Sequence, residues 1–322
     1  MKLILKSVLL LLAGVVFFGG VGIYATWAPD LPVSALQERW AKAPSTFIAV
    51  DGLQVHLRDE GPRMDGAAGA PDSELPIVLL HGTSASLHTW EGWAAVLRKD
   101  RRVVRMDLPG FALTGPNPQN NYSIGVYVKF VIDTMNALGI QRFALAGNSL
   151  GGQIAWATAA AHPDRVAKLI LVDASGYPIS ERDMPLGFKL ATMPVARDLM
   201  RVTLPRGVVE QSVRNVYGHP EKVTPELVDL YMDMTRREGN RQALTRRMQQ
   251  GYTGDVAQIR ALKLPTLILW GGQDRLVPPD SAQKFARDIA GSKLVMFDDL
   301  GHVPQEEDPA RTVAEVQRFL AQ

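Results

Sequence analysis

Gly147-Asn148-Ser149-Leu150-Gly151-Gly152, set straight after the apolar run Phe143-Ala144-Leu145-Ala146, constrains this chain more than any other stretch. A strand that turns sharply into a helix through G-x-S-x-G brings backbone segments closer together than a side chain would allow, so glycine flanks the serine. Ser149 then sits at a tight kink with its hydroxyl lifted clear of the sheet.

The surrounding pattern supports that turn. Short apolar runs at 77–80, 103–106, 143–146, 168–172, 266–270 and 293–297 alternate with helical stretches near 90–97, 124–138, after Ser149, and at 309–320. Short apolar strands separated by helices indicate an α/β fold: a mostly parallel central sheet with helices on both faces. Asp51-Gly52 between two alternating runs, 46–50 and 53–57, is the signature of a two-residue hairpin. The stretch 62–76, rich in Gly, Ala and Asp, reads as an exposed loop. Between roughly 176 and 257 the rhythm breaks into amphipathic stretches holding six of the 11 methionines, including Met184, Met193, Met200 and Met248. That fits a helical cap inserted over the carboxyl edge of the sheet, where open α/β folds bind ligands. The expected organisation is an N-terminal segment 1–28, a linker 29–45 with one short helix, a core in two parts, 46–175 and 258–322, and the cap 176–257 between them.

Asp274 in Trp270-Gly271-Gly272-Gln273-Asp274 and His302 in Gly301-His302-Val303-Pro304 follow Ser149 in the order serine, acid, histidine. A serine hydroxyl is a weak nucleophile until a neighbouring base takes its proton, and the base must be oriented by a third group. Histidine suits the task because its unperturbed pKa, about 6.5, lets it accept and return a proton near neutrality. The backbone amides of Leu150 and Thr83 are the candidate oxyanion donors, one after the nucleophile at a helix start and one in His81-Gly82-Thr83. Asp173, at the end of the run 169–172, is a second candidate acid; the Gly271-Gly272 turn favours Asp274. His81 reads as a loop organiser. A carboxylate in place of Ser149 would permit displacement at alkyl carbon through a hydrolysable ester, whereas serine would form a dead-end ether. Acyl transfer to serine is therefore the economical chemistry.

His56, His88, His162 and His219 are scattered without metal-ligand spacing, and neither a dinucleotide fingerprint nor a P-loop occurs, so no metal and no cofactor is expected. A formal net charge of +2 with dispersed arginines gives no ground for a nucleic-acid partner, and with 0 Cys the compartment is not legible from redox chemistry. The N-terminus supplies it. From Ser7 to Ala28 there is no charge, and about 22 residues at roughly 1.5 Å each would cover a hydrocarbon layer of about 30 Å. Lys2 and Lys6 precede this stretch, which points to a membrane anchor with the remaining chain translocated. The alternative is a cleaved secretory signal, against which stand the length of the run and the lack of an A-x-A site.

On His81-Gly82-Thr83, Asp107-Leu108-Pro109-Gly110-Phe111, the Ser149 turn, Trp270 to Asp274 and Gly301-His302, the chain resembles the α/β-hydrolase superfamily over about 46–322. Within it, the chain looks most like membrane-anchored or secreted carboxylesterases and monoacylglycerol-lipase-like enzymes. It is also similar to the meta-cleavage-product hydrolases that split carbon-carbon bonds. Ala112 and Thr114 depart from the pattern, since relatives often carry glycine and serine there. The resemblance implies a Ser149, Asp274, His302 triad acting on a small-molecule ester or acyl-lipid with an apolar acyl group. The alternatives are carbon-carbon hydrolysis and a non-catalytic ligand-binding protein that keeps the pocket.

Overall fold

The computed structural model of the 322-residue chain describes residues 7, 20–22, 24–63, 66, 75–178, 201–251 and 254–322. Eight strands form one sheet: β1 (Thr46–Val50), β2 (Leu53–Glu60), β3 (Ile77–Leu80), β4 (Val103–Met106), β5 (Phe143–Asn148), β6 (Val166–Val172), β7 (Thr266–Gly271) and β8 (Lys293–Phe297). Their order is β1-β2-β4-β3-β5-β6-β7-β8. β1 and β2 run antiparallel, as do β2 and β4; every other pairing is parallel. Asp51 and Gly52 both take positive φ, 48° and 79°, which gives the β1–β2 hairpin the twist its strands need.

Strands β3, β4, β5, β6 and β7 are buried along their whole length, which is why they read as continuous apolar runs rather than alternating ones. The period of two still divides them. Val78, Leu80, Leu145, Leu169, Leu171 and Ile268 join one core, while Ile77, Leu79, Ala144, Ala146, Ile170 and Leu267 join the other. The helices α1 (Val33–Trp40), α2 (Glu91–Leu97), α3 (Ile124–Ala137) and α4 (Leu150–Ala161) come before β6. Between β6 and β7 lie α5 (Arg206–Asn215), α6 (Pro225–Arg236), α7 (Asn240–Gln250) and α8 (Val256–Ala261). The last three are α9 (Asp280–Asp288), α10 (Pro304–Glu307) and α11 (Pro309–Leu320). The start of α11 follows from its residues: Pro309 occupies the first turn, and the Asp308 carboxylate accepts from Arg311 N at 3.2 Å.

The stretch 29–45, expected as a linker, is packed onto α6. Leu36 is buried with Leu230 and Met234, Arg39 pairs with Asp229 at 2.9 Å, and Trp40 Nε1 donates to Asp233 at 2.9 Å. Thr26 and Ala28 also join the folded body: Ala28 N donates to Val202 O at 2.9 Å and Leu204 N to Thr26 O at 3.0 Å. No helix among the described residues is long and apolar enough to cross a membrane. The expected anchor over 7–28 falls mostly outside the described residues, as do 179–200 of the expected cap and most of the 62–76 loop.

Candidate active site

Ser149 stands between β5 and α4 with φ 54° and ψ −117°, a conformation that costs a non-glycine residue about 1–3 kcal/mol. Its surroundings hold it there. Ser149 N donates to Val172 O at 3.1 Å, and Ser149 O accepts from Gln153 N and Ser175 N, both at 3.0 Å. A Cβ on Gly147 would lie 2.1 Å from Gly151 O, and one on Gly151 would lie 2.2 Å from Leu80 O. Both contacts are with backbone, so the turn admits no side chain at either place.

Asp274 follows β7, and His302 follows β8. Asp274 Oδ2 lies 2.7 Å from His302 Nδ1, while Asp274 Oδ1 accepts from Leu276 N at 2.7 Å and Val277 N at 3.0 Å. A carboxylate held by backbone donors can only accept at Nδ1. The imidazole therefore carries its proton on Nδ1 and leaves the Nε2 lone pair free. Both residues are buried. The backbone of His302 is fixed from two sides, its N donating to Val216 O at 2.8 Å and its O accepting from Asn148 Nδ2 at 2.9 Å. Glu307 adds a third brace by accepting from Gly301 N, Gly218 N and His219 N at 2.8, 3.0 and 2.7 Å. The segment 216–219 after α5 is thus tied directly to the histidine loop.

Asp173 accepts from Gly271 N at 2.9 Å through Oδ1, while its buried Oδ2 has no hydrogen-bond partner among the described residues. Burial, and then the nearby charge of Asp274, hold its carboxyl well above the usual carboxylate range. Asp173 is thus the acid of the pair whose surroundings favour the protonated form, and it is not hydrogen-bonded to the imidazole. The polar atoms of Asp173, Asp274 and His302 lie within 4.8 Å of one another. The direct Asp274–His302 bond engages the lone pairs a cation would take there. His81 is buried and neutral, its pKa lowered by desolvation. It donates from Nδ1 to Gly82 O at 2.7 Å and accepts from Leu108 N at 2.9 Å, so it staples the 81–83 loop to the loop after β4.

Ser149, His302 and Thr83 face one cavity of about 290 Å³. Val216, Met248, Leu276, Val277 and Val303 make its walls largely apolar, with Tyr231 and Arg247 contributing from α6 and α7. Leu150 is the first residue of α4, where a backbone N–H has no partner within the helix. No Ser149–His302 hydrogen bond forms among the described residues, and such bonds often tighten only around substrate. A larger cleft, about 500 Å³ and lined by Asn136, Gly139 and Arg165, holds none of these residues. Sequence reasoning missed Asn148, Glu307 and Arg247. Asn148 lay inside the quoted motif, but Glu307 and Arg247 gain their roles only through contacts between distant elements.

A profile described as the alpha/beta hydrolase fold matches residues 76–309. The chain is 30% identical over 281 residues to the 2-hydroxymuconate semialdehyde hydrolase of Pseudomonas sp. (strain CF600), covering 85% of this chain and 93% of that one. It is 26% identical to monoacylglycerol lipase abhd6-B of Xenopus laevis, over 79% and 78% of the two chains. Among solved structures, a membrane phospholipase A described as a bacterial virulence factor superposes with a TM-score of 0.71 at 26% identity. That match covers 100% of this chain and 98% of the other. With its sheet order, its Ser149 turn and these matches, the chain belongs to the α/β-hydrolase fold family.

Proposed function

We propose that the protein is a serine hydrolase that cleaves a carboxylic ester with an apolar acyl group through a Ser149 acyl-enzyme. The observation that carries this reading is the Asp274–His302 bond of 2.7 Å at the wall of an apolar cavity that also holds Ser149. Ser149 Oγ attacks the ester carbonyl carbon while its proton passes to His302 Nε2. The C–O bond to the leaving alcohol then breaks, and the departing oxygen takes that proton. Water repeats the sequence on the acyl-enzyme: it gives a proton to Nε2, attacks the carbonyl, and releases the acid as Ser149 Oγ recovers its hydrogen. Asp274 holds the imidazole in its working tautomer and stabilises the transient imidazolium. The amides of Leu150 and Thr83 face the oxyanion.

The second reading, hydrolysis of a carbon-carbon bond in a dienoate, is favoured by the 30% identity to a semialdehyde hydrolase. Turnover of p-nitrophenyl esters of graded chain length, beside a 2-hydroxy-6-oxodienoate, separates the two. Preference for longer esters supports the first reading. Faster dienoate cleavage with little ester turnover supports the second. From residues 1–28 we also place the catalytic domain on the translocated side of a membrane, which protease protection in fractionated cells tests.

A further inference from the structure

Arg247, on α7, shares the wall of the catalytic cavity with Ser149 and His302. No aspartate or glutamate among the described residues lines that cavity. Other arginines of the same region are matched by acids: Arg214 meets Glu210 at 2.9 Å, and Arg39 meets Asp229 from across the α1–α6 contact. Arg247 has no such carboxylate among the described residues, and its Nε is buried without a hydrogen bond. Elsewhere the guanidinium meets one neutral partner, hydrogen-bonding to the hydroxyl of Tyr127, which itself donates to Pro109 O at 3.0 Å.

A guanidinium carries five N–H donors in a fixed fork, suited to carboxylate and phosphate oxygens. Leaving such a donor buried and unmatched is unfavourable. A half-buried cation with no carboxylate beside it among the described residues, at the wall of a largely apolar reaction chamber, is completed by a ligand that brings the acceptor with it. The arrangement selects an amphiphile: an apolar body against Val216, Met248, Leu276 and Val303, and an anionic group at the guanidinium.

We propose that Arg247 is the anion anchor of the catalytic cavity and that the natural substrate carries a carboxylate or phosphate group. The proposal rests on reading this cavity as the substrate site, as the proposed function does. It needs no turnover, so binding to the full-length Ser149→Ala protein tests it separately from the chemistry.

Decanoate, decyl phosphate and decanol share one chain and differ only in the head, so calorimetric titration of each reads the contribution of charge. In Ser149→Ala, at least one of the two anions should bind about tenfold or more tightly than decanol, and which of them does identifies carboxylate or phosphate as the group held. Adding Arg247→Met should bring the anion-to-alcohol ratio to within about threefold of unity. Arg247→Lys keeps the charge without the fork. It should lose at least about threefold of the preference and also serves if the Met variant does not fold. Binding of decanol as tight as both anions, or a preference that survives both substitutions, overturns the proposal. Fluorophosphonate labelling of the wild type distinguishes the two failures. Labelling of Ser149 without anion preference removes the anchor and leaves the serine chemistry. Anion preference without labelling does the reverse.

Discussion

Asp274→Asn should abolish most of the proposed activity, for a reason that lies in the contacts of Asp274. The carboxamide of that variant can keep its oxygen on Leu276 N and Val277 N, the two bonds Asp274 Oδ1 makes at 2.7 and 3.0 Å. Its amide nitrogen then faces His302 Nδ1, where Asp274 Oδ2 now lies 2.7 Å away. Two donors cannot share that contact, so the imidazole shifts its proton to Nε2 and can no longer accept from Ser149. A wrong-tautomer histidine in a serine triad costs about 10⁴ in kcat, or about 5 kcal/mol of transition-state stabilisation. Asp173→Asn should behave differently. Burial favours the protonated form of Asp173, which asparagine imitates while still accepting from Gly271 N through its oxygen, so kcat should stay within about tenfold. Stopped-flow release of p-nitrophenolate from a saturating ester at neutral pH measures both. Loss of less than about tenfold in Asp274→Asn, or an equal loss in Asp173→Asn, would refute the assignment of roles to the two acids.

His88 is half-buried and its pKa is lowered to about 4, chiefly by desolvation. The unfolded chain therefore binds the proton first, and the fold loses stability as pH falls from about 6.5 to 4. His88→Gln should flatten that decline, by up to about 3 kcal/mol at the acid end, in urea unfolding curves taken across the window. Gly151→Ala would drive a methyl to 2.2 Å from Leu80 O and 2.6 Å from His81 O; a loss of about 3 kcal/mol, read as a fall in urea midpoint, is expected because these neighbours are backbone of a buried strand end and cannot swing aside as a side chain could.

The strands were legible because a parallel sheet covered on both faces writes each strand as an unbroken apolar run, as Leu169-Ile170-Leu171-Val172 does. The Ser149 turn was legible because its glycines are demanded by backbone contacts within one strand-turn-helix unit. Asp274 could be preferred over Asp173 from the turn that precedes it, but the upward pKa shift of Asp173 depends on burial and on the neighbouring charge, which no local pattern encodes. The docking of 29–45 onto α6 is not legible in the sequence for a related reason. Its prolines are local signals of irregular chain, whereas Leu36 and Arg39 find partners about 190 residues away in sequence, beyond any local pattern. Glu307 and Arg247 escaped notice on the same ground.

Intact-protein mass spectrometry after brief exposure to a fluorophosphonate, followed by peptide mapping, tests the nucleophile most directly. The account predicts one covalent adduct, on Ser149, absent from Ser149→Ala and slow to form in His302→Ala. An adduct that persists undiminished in Ser149→Ala, or a wild-type protein that takes no label at all, would contradict it.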